Sequence, residues 1–310
     1  MSPDETHRLT YSSLRWLLAL LPGVLFVVTV ATAIVQGHLE GSISAYYGGP
    51  VRDMFVGVLL AVAVLLVAYQ GATTLEDYNF NGAGFYAAFV ALVPTGLVEN
   101  LACLRAGLEL SPEGVSPAEY VWALRFSLTV VVLLGVALLV HELRSTRRLR
   151  RLLEGDRVVL AFVGVTFATL VAFMGLAMWQ LWVPPADQVT IEGLVGVPLL
   201  RDLPIIGTWG IHDLAAVLFI CALALGVWSH AWPRTAARGG EPVEEVALRG
   251  LAAYRAIFVL MVAGPLVAWA VSEALAPGSL VILLEWWEIA LFCIFWVLET
   301  RRQSRIAQPA

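Results

Sequence analysis

The chain contains no lysine, so all 19 of its basic side chains are arginine. Charge of either sign is scarce: 14% of residues are charged and 59% hydrophobic, which excludes an ordinary water-soluble domain. Cysteine is nearly absent too, and no disulfide framework is implied. Cys221 and Cys293 fall inside apolar stretches, where a thiol acts as a small apolar side chain, and Cys103 stands near the end of another. There is no GxxxxGK[ST] phosphate loop, HExxH zinc motif, GxSxG elbow or aspartate-rich prenyl-diphosphate motif. Nucleotide hydrolysis and the common membrane protease and prenyltransferase schemes therefore have no support. A net charge of −5 gives no reason to expect a nucleic-acid partner, and no internal repeat or low-complexity segment stands out.

What the chain does have is uncharged apolar runs of membrane length. A spanning helix needs about 20 such residues. Spans are expected at about 16–36, 53–72, 82–104, 118–141, 158–183, 209–231, 252–273 and 279–299. The alternating strands of about ten residues that a β-barrel requires are missing. The expected fold is therefore all-α: a polytopic transmembrane helical bundle of about eight helices, forming one integral membrane domain over 1–310. The first span runs on too far, without a small-residue cleavage site, to be a signal peptide.

The arginines set the expected orientation. Arg8, Arg15, the run from Arg144 to Arg157, Arg234, Arg238, Arg249, Arg301, Arg302 and Arg305 all fall on one side of an eight-span chain. The positive-inside rule makes that side, with the N-terminus and C-terminus, cytoplasmic. The link 73–81, with Glu76 and Asp77 but no arginine, reads as a cytoplasmic loop, and the external link 184–208 as a lid or an interfacial hairpin.

Glu285 and Glu288 interrupt the last apolar run. An acid at mid-bilayer costs about 2.5–3.5 kcal/mol, so such groups line a site or a wet cavity. By the ~1.5 Å rise per residue, Glu288 lies roughly 13 Å and Glu285 roughly 9 Å below the outer end of their helix, with Arg125 and Glu99 at similar depth. Arg52, Asp53, His212 and Asp213 sit above them at helix starts. The two glutamates, three apart, share a helix face on which they could bind a metal, hold a proton, or pair with Arg52 or Arg125. His212 reads as a cap or as a ligand. Trp179, Trp182, Trp209, Trp286 and Trp287 read as an interfacial belt or a pocket wall. The inner half offers no comparable set, because His141, Glu142, His230 and Glu299 lie near helix ends.

The segment ISAYYGGPVRDMFVG at 43–57 resembles the signature opening the second helix in a family of uncharacterised bacterial multi-pass proteins, itself distantly similar to DRAM-type membrane proteins. In that family a histidine opens a later helix and a glutamate lies in the last one, matched here by Ile211-His212 and by Trp287-Glu288-Ile289-Ala290-Leu291. The resemblance implies a bacterial plasma membrane, and it implies that Ser44, Tyr46, Arg52, Asp53, His212 and Glu288 share one membrane face. It implies no established activity. A second, weaker similarity, carried by Ser44, Asp53 and His212, is to the membrane hydrolases that include alkaline ceramidases and adiponectin receptors, in which several histidines hold zinc. Here only His38 and His212 lie on the outer side, so a three-histidine zinc site is excluded. A divalent metal on His212, Glu288 and Asp53 stays open, and such carboxylate-rich ligation favours a harder ion.

Three readings follow. In the first, an outer-leaflet, charge-lined pocket binds a lipid headgroup or small polar ligand through Tyr46, Arg52, Asp53, Glu99, Arg125, His212, Asp213, Glu285 and Glu288, with the lipid bilayer as the constant partner. The second is a membrane-embedded metal-dependent hydrolase or transferase acting on lipid, with Asp53, His212, Glu288 and Ser44 as catalytic candidates. The third is an ion-coupled transporter.

Overall fold

The structure, a computed structural model, describes residues 3–46, 50–71, 73–93, 106, 116–144, 157–183, 210–233 and 250–306. Among these residues there are eight α-helices and no strand. They are α1 (Pro3–Gln36), α2 (Pro50–Ala68), α3 (Thr74–Leu92), α4 (Pro117–Arg144), α5 (Arg157–Trp182), α6 (Ile211–Ala231), α7 (Leu251–Leu275) and α8 (Leu280–Ile306), with a 3-10 turn at Ile43–Ala45. All except α3 carry a stretch long and apolar enough to cross a membrane. Large apolar side chains lie exposed along these helices, among them Phe126, Val130, Leu133 and Leu134 of α4. In water that surface would be costly, whereas lipid tails are as apolar as the side chains. The chain is an all-helical, multi-pass integral membrane protein.

Local sequence explains several helix ends. At the start of α4, Ser116 and Glu119 bond each other's backbone N–H groups, at 3.3 and 2.8 Å, with Pro117 in the first helical position, where its missing donor costs nothing. At the end of α1, Gly37 takes φ 69° and its N–H closes on the Ala33 carbonyl at 3.0 Å, a left-handed stop that suits glycine.

The helices fall into two compact units whose dividing points lie inside α3 and α6: Met1–Gly84 with Ile220–Ala310, and Phe85–Phe219. In the first, α8 packs on α1 and α7, and α1 packs on α2. Its core is an aromatic cluster of Phe80, Phe295 and Trp296, each almost wholly buried, with Tyr69 edge-on to Trp296 at 4.9 Å. In the second, α4 pairs with α5. Phe173 of α5 receives Tyr86 and Phe89 edge-on, with centroids 5.3 and 4.9 Å away.

The expected loop at 73–81 is corrected: residues from Thr74 onward are helical. Thr73 Oγ1 accepts the Glu76 N–H at 3.2 Å, so the Thr73-x-x-Glu76 spacing, a helix-start signature, begins α3 rather than a connector.

Candidate functional site

Of the residues expected on the outer face, Ser44, Tyr46, Arg52, Asp53, Glu285 and Glu288 belong to the first unit and Arg125, His212 and Asp213 to the second. Glu99, Trp209 and the link 184–208 lie outside the described residues.

The segment 41–46 is folded onto the start of α8. Ser42 caps the 3-10 turn, its Oγ accepting the Ala45 N–H at 3.1 Å and lying 3.0 Å from the Ser44 hydroxyl. Ile43 is buried. Its N–H donates to Glu285 Oε2 at 2.6 Å, and the Ile282 N–H donates to the Gly41 carbonyl at 3.1 Å. Glu285 thus anchors the segment through a charge-assisted hydrogen bond. Glu285→Ala is expected to destabilise the protein by about 1–3 kcal/mol, the usual cost of stranding a buried donor. Faster hydrogen exchange at Ile43, with α8 unchanged, checks it. Arg52 and Asp53 lie exposed in the first turn of α2, where Asp53 complements the positive helix end. Tyr46 is buried, and its hydroxyl has no hydrogen-bond partner among the described residues.

One turn along α8, Glu288 is only 6% exposed, and neither carboxyl oxygen has a hydrogen-bond partner among the described residues. It faces a notch in α7. A β-carbon added at Gly264 would lie 2.8 Å from Glu288 Oε1 and 2.9 Å from Trp287 Cδ1, so only glycine admits both side chains. Pro265 follows within the helix. Having no N–H, it cannot serve the Met261 carbonyl four residues back. The Trp287 indole props the same stretch, donating to the Leu260 carbonyl at 3.0 Å.

In the second unit the polar side chains serve helix ends. His212 is buried, with Nδ1 2.6 Å from the Val93 carbonyl just past α3. Asp213 Oδ2 accepts the Gly210 N–H at 2.9 Å, capping α6. Arg125 is 3% exposed and donates from Nε to the Leu181 carbonyl at 2.8 Å at the end of α5. Its guanidinium lies over the Trp122 and Trp182 rings at 4.8 and 5.3 Å, a cation–π arrangement.

At the end of the first unit where α1 begins and α8 finishes, the structure places a buried polar network, correcting the expectation that this half holds none. His230, in the last turn of α6, has Nε2 2.8 Å from Glu76 Oε1 of α3 and Nδ1 3.5 Å from Glu299 Oε2 of α8. The Tyr69 hydroxyl donates to Glu76 Oε1 at 3.2 Å and the Tyr254 hydroxyl to Glu299 Oε2 at 2.9 Å. Arg302 Nη2 and Gln303 Nε2 donate to Glu299 Oε1 at 2.8 and 2.9 Å. Nearness to helix ends hid these residues, since charge there is cheap; the Thr73-x-x-Glu76 spacing was the available signal.

Among the described residues, no three His, Cys, Asp or Glu side chains stand where they could share a metal ion. No family model matches the chain, and neither does any curated protein or solved structure with which it was compared. Fold and surface together define a polytopic helical membrane protein with one unpaired buried carboxyl group and one buried ionic network among its described residues.

Proposed function

We propose that the protein is a non-enzymatic binding protein of the bacterial plasma membrane, and that it takes a lipid headgroup or small polar ligand on Glu288 from the outer leaflet. Glu288 carries this reading. Buried and without a donor among the described residues, a carboxyl group in a membrane span is expensive, and a ligand offering N–H or O–H donors or positive charge offsets that cost. The placement of the arginines supports the outward direction: by the positive-inside rule, the end where α1 begins is cytoplasmic, which puts the Glu285 and Glu288 end of α8 outside. The signature at 43–57 supports the same face, because the segment that carries it folds onto Glu285.

Native mass spectrometry of the chain released from its own membrane in mild detergent tests the reading, with Glu288→Gln alongside. The expected result is a lipid or small polar adduct on the wild type that falls at least tenfold in the variant, at equal thermal stability. Equal adducts on both proteins, or none on the wild type, would sink it. Stoichiometric metal lost in both Glu288→Gln and His212→Ala would replace it with the metal-dependent hydrolase.

A further inference from the structure

The imidazole of His230 has partners of opposite kind at one nitrogen. Nδ1 lies 3.5 Å from Glu299 Oε2, an acceptor, and 3.4 Å from Arg302 Nη2, a donor that can never accept. At the other nitrogen, Nε2, Glu76 Oε1 waits as an acceptor at 2.8 Å. A neutral ring protonated on Nε2 donates to Glu76 and accepts from Arg302 at Nδ1. An imidazolium donates to Glu76 and stands within ion-pair distance of Glu299 at Nδ1. The cluster therefore offers each ring nitrogen a polar partner in both charge states.

We propose that His230 is a proton-binding site, and that a proton taken up at Nδ1 exchanges the bond from Arg302 for one to Glu299. The proton adds to the Nδ1 lone pair and no other bond is made or broken covalently. Uptake thereby keeps α6 tied to α3 through Glu76 and exchanges its tie to α8 from Arg302 to Glu299. The groups facing the ring are Glu76 from α3, Tyr254 from α7, and Glu299 and Arg302 from α8, while Tyr69 backs Glu76. From the neighbouring helices, Arg15 of α1 acts on Tyr69, and Arg255 of α7 donates to the Ala231 carbonyl at 3.2 Å. The Arg302 side chain is 12% exposed, so the cluster reaches the surface of the protein at that residue. His230 also closes α6, whose C-terminal dipole favours a cation.

Nitrogen-15 NMR of the histidine-labelled full chain in lipid nanodiscs reads both nitrogens directly, and the spectrum of His230→Gln assigns the resonance. Between pH 5 and pH 9 the His230 signal is expected to pass between one protonated nitrogen and two. At a fixed pH within that range, Arg302→Met should enrich the doubly protonated form and Glu299→Gln the neutral one, each by threefold or more. A ring that stays in one form across the range overturns the proposal, as does a form ratio that both variants leave unmoved.

Discussion

Glu299→Ala is expected to lower the unfolding free energy by about 3–5 kcal/mol, the range for orphaning a buried charge. Glu299 is fully buried and accepts from Tyr254, Arg302 and Gln303, so its removal strands a guanidinium left against the His230 and Tyr254 rings. The size of the effect decides its cause. Only the bond from Tyr254 joins two helices, those from Arg302 and Gln303 lying within α8; even at about 0.6 kcal/mol each, the average for a bond between membrane helices, three lost bonds account for roughly 2 kcal/mol and no more. A loss above about 3 kcal/mol points to the stranded charge. Glu299→Gln, which keeps an acceptor and the volume, should fall between wild type and Glu299→Ala. Replacing Glu76, His230, Glu299 and Arg302 together by leucine, with Tyr69→Phe and Tyr254→Phe to remove the two hydroxyls that donate to the acids, takes out the charged members of the set and their buried donors. It is expected to cost less than Glu299→Ala alone, because well-packed apolar groups often match a buried ionic network. Reversible unfolding in mixed micelles measures all three. A combined variant less stable than Glu299→Ala would contradict the orphan-charge account.

That network also shows where a sequence stops being legible. The spans can be read because lipid demands long uncharged runs, and seven helices of that kind are present among the described residues. Glu285 and Glu288 can be read because each interrupts such a run, where one charge is costly by itself. Glu76, His230 and Glu299 each sit near a helix end, where a charge needs no explanation, so depth along the helix makes them look alike and unremarked. Their chemistry comes from which faces meet, and apolar composition does not specify that, since lipid and neighbouring helices suit the same side chains. Reading along one face of α8 goes further than reading its depth. Glu288, Phe292, Phe295, Glu299 and Arg302 recur at spacings of three and four, a single stripe with an aromatic block between two acids about 16 Å apart along the axis. The notch opposite Glu288 was hidden for a different reason. A glycine before a proline inside an apolar run signals a bend, but nothing in the run says that a tryptophan and a glutamate fill it.

Gly264→Ala is the sharpest test of that notch, because two effects of similar size oppose each other in it. An alanine inside a helix is worth about 1 kcal/mol over glycine. Against this, the new β-carbon would stand 2.8 Å from Glu288 Oε1, 2.9 Å from Trp287 Cδ1 and 3.1 Å from Trp287 Nε1. The Glu288 carboxyl is the far end of a flexible side chain with no described partner to lose, so it turns away cheaply. The indole cannot, being rigid and held by the Leu260 carbonyl at 3.0 Å. Overpacking of this kind costs about 1–3 kcal/mol, and the lost indole bond adds about 1 kcal/mol. Overlap therefore outweighs propensity, and Gly264→Ala should destabilise by about 1–3 kcal/mol net, with Gly264→Val worse because a β-branched side chain adds crowding. Trp287→Leu removes the obstruction, and in that background Gly264→Ala should become neutral or stabilising. The sign change in a double-mutant cycle assigns the penalty to the Gly264–Trp287 contact, whereas a penalty that persists without the indole would place it in α7 itself. If Glu288 is the binding group, its displaced carboxyl should also release the adduct in Gly264→Ala, and Trp287→Leu in the same chain should leave that release in place, because the new β-carbon still meets Glu288 Oε1.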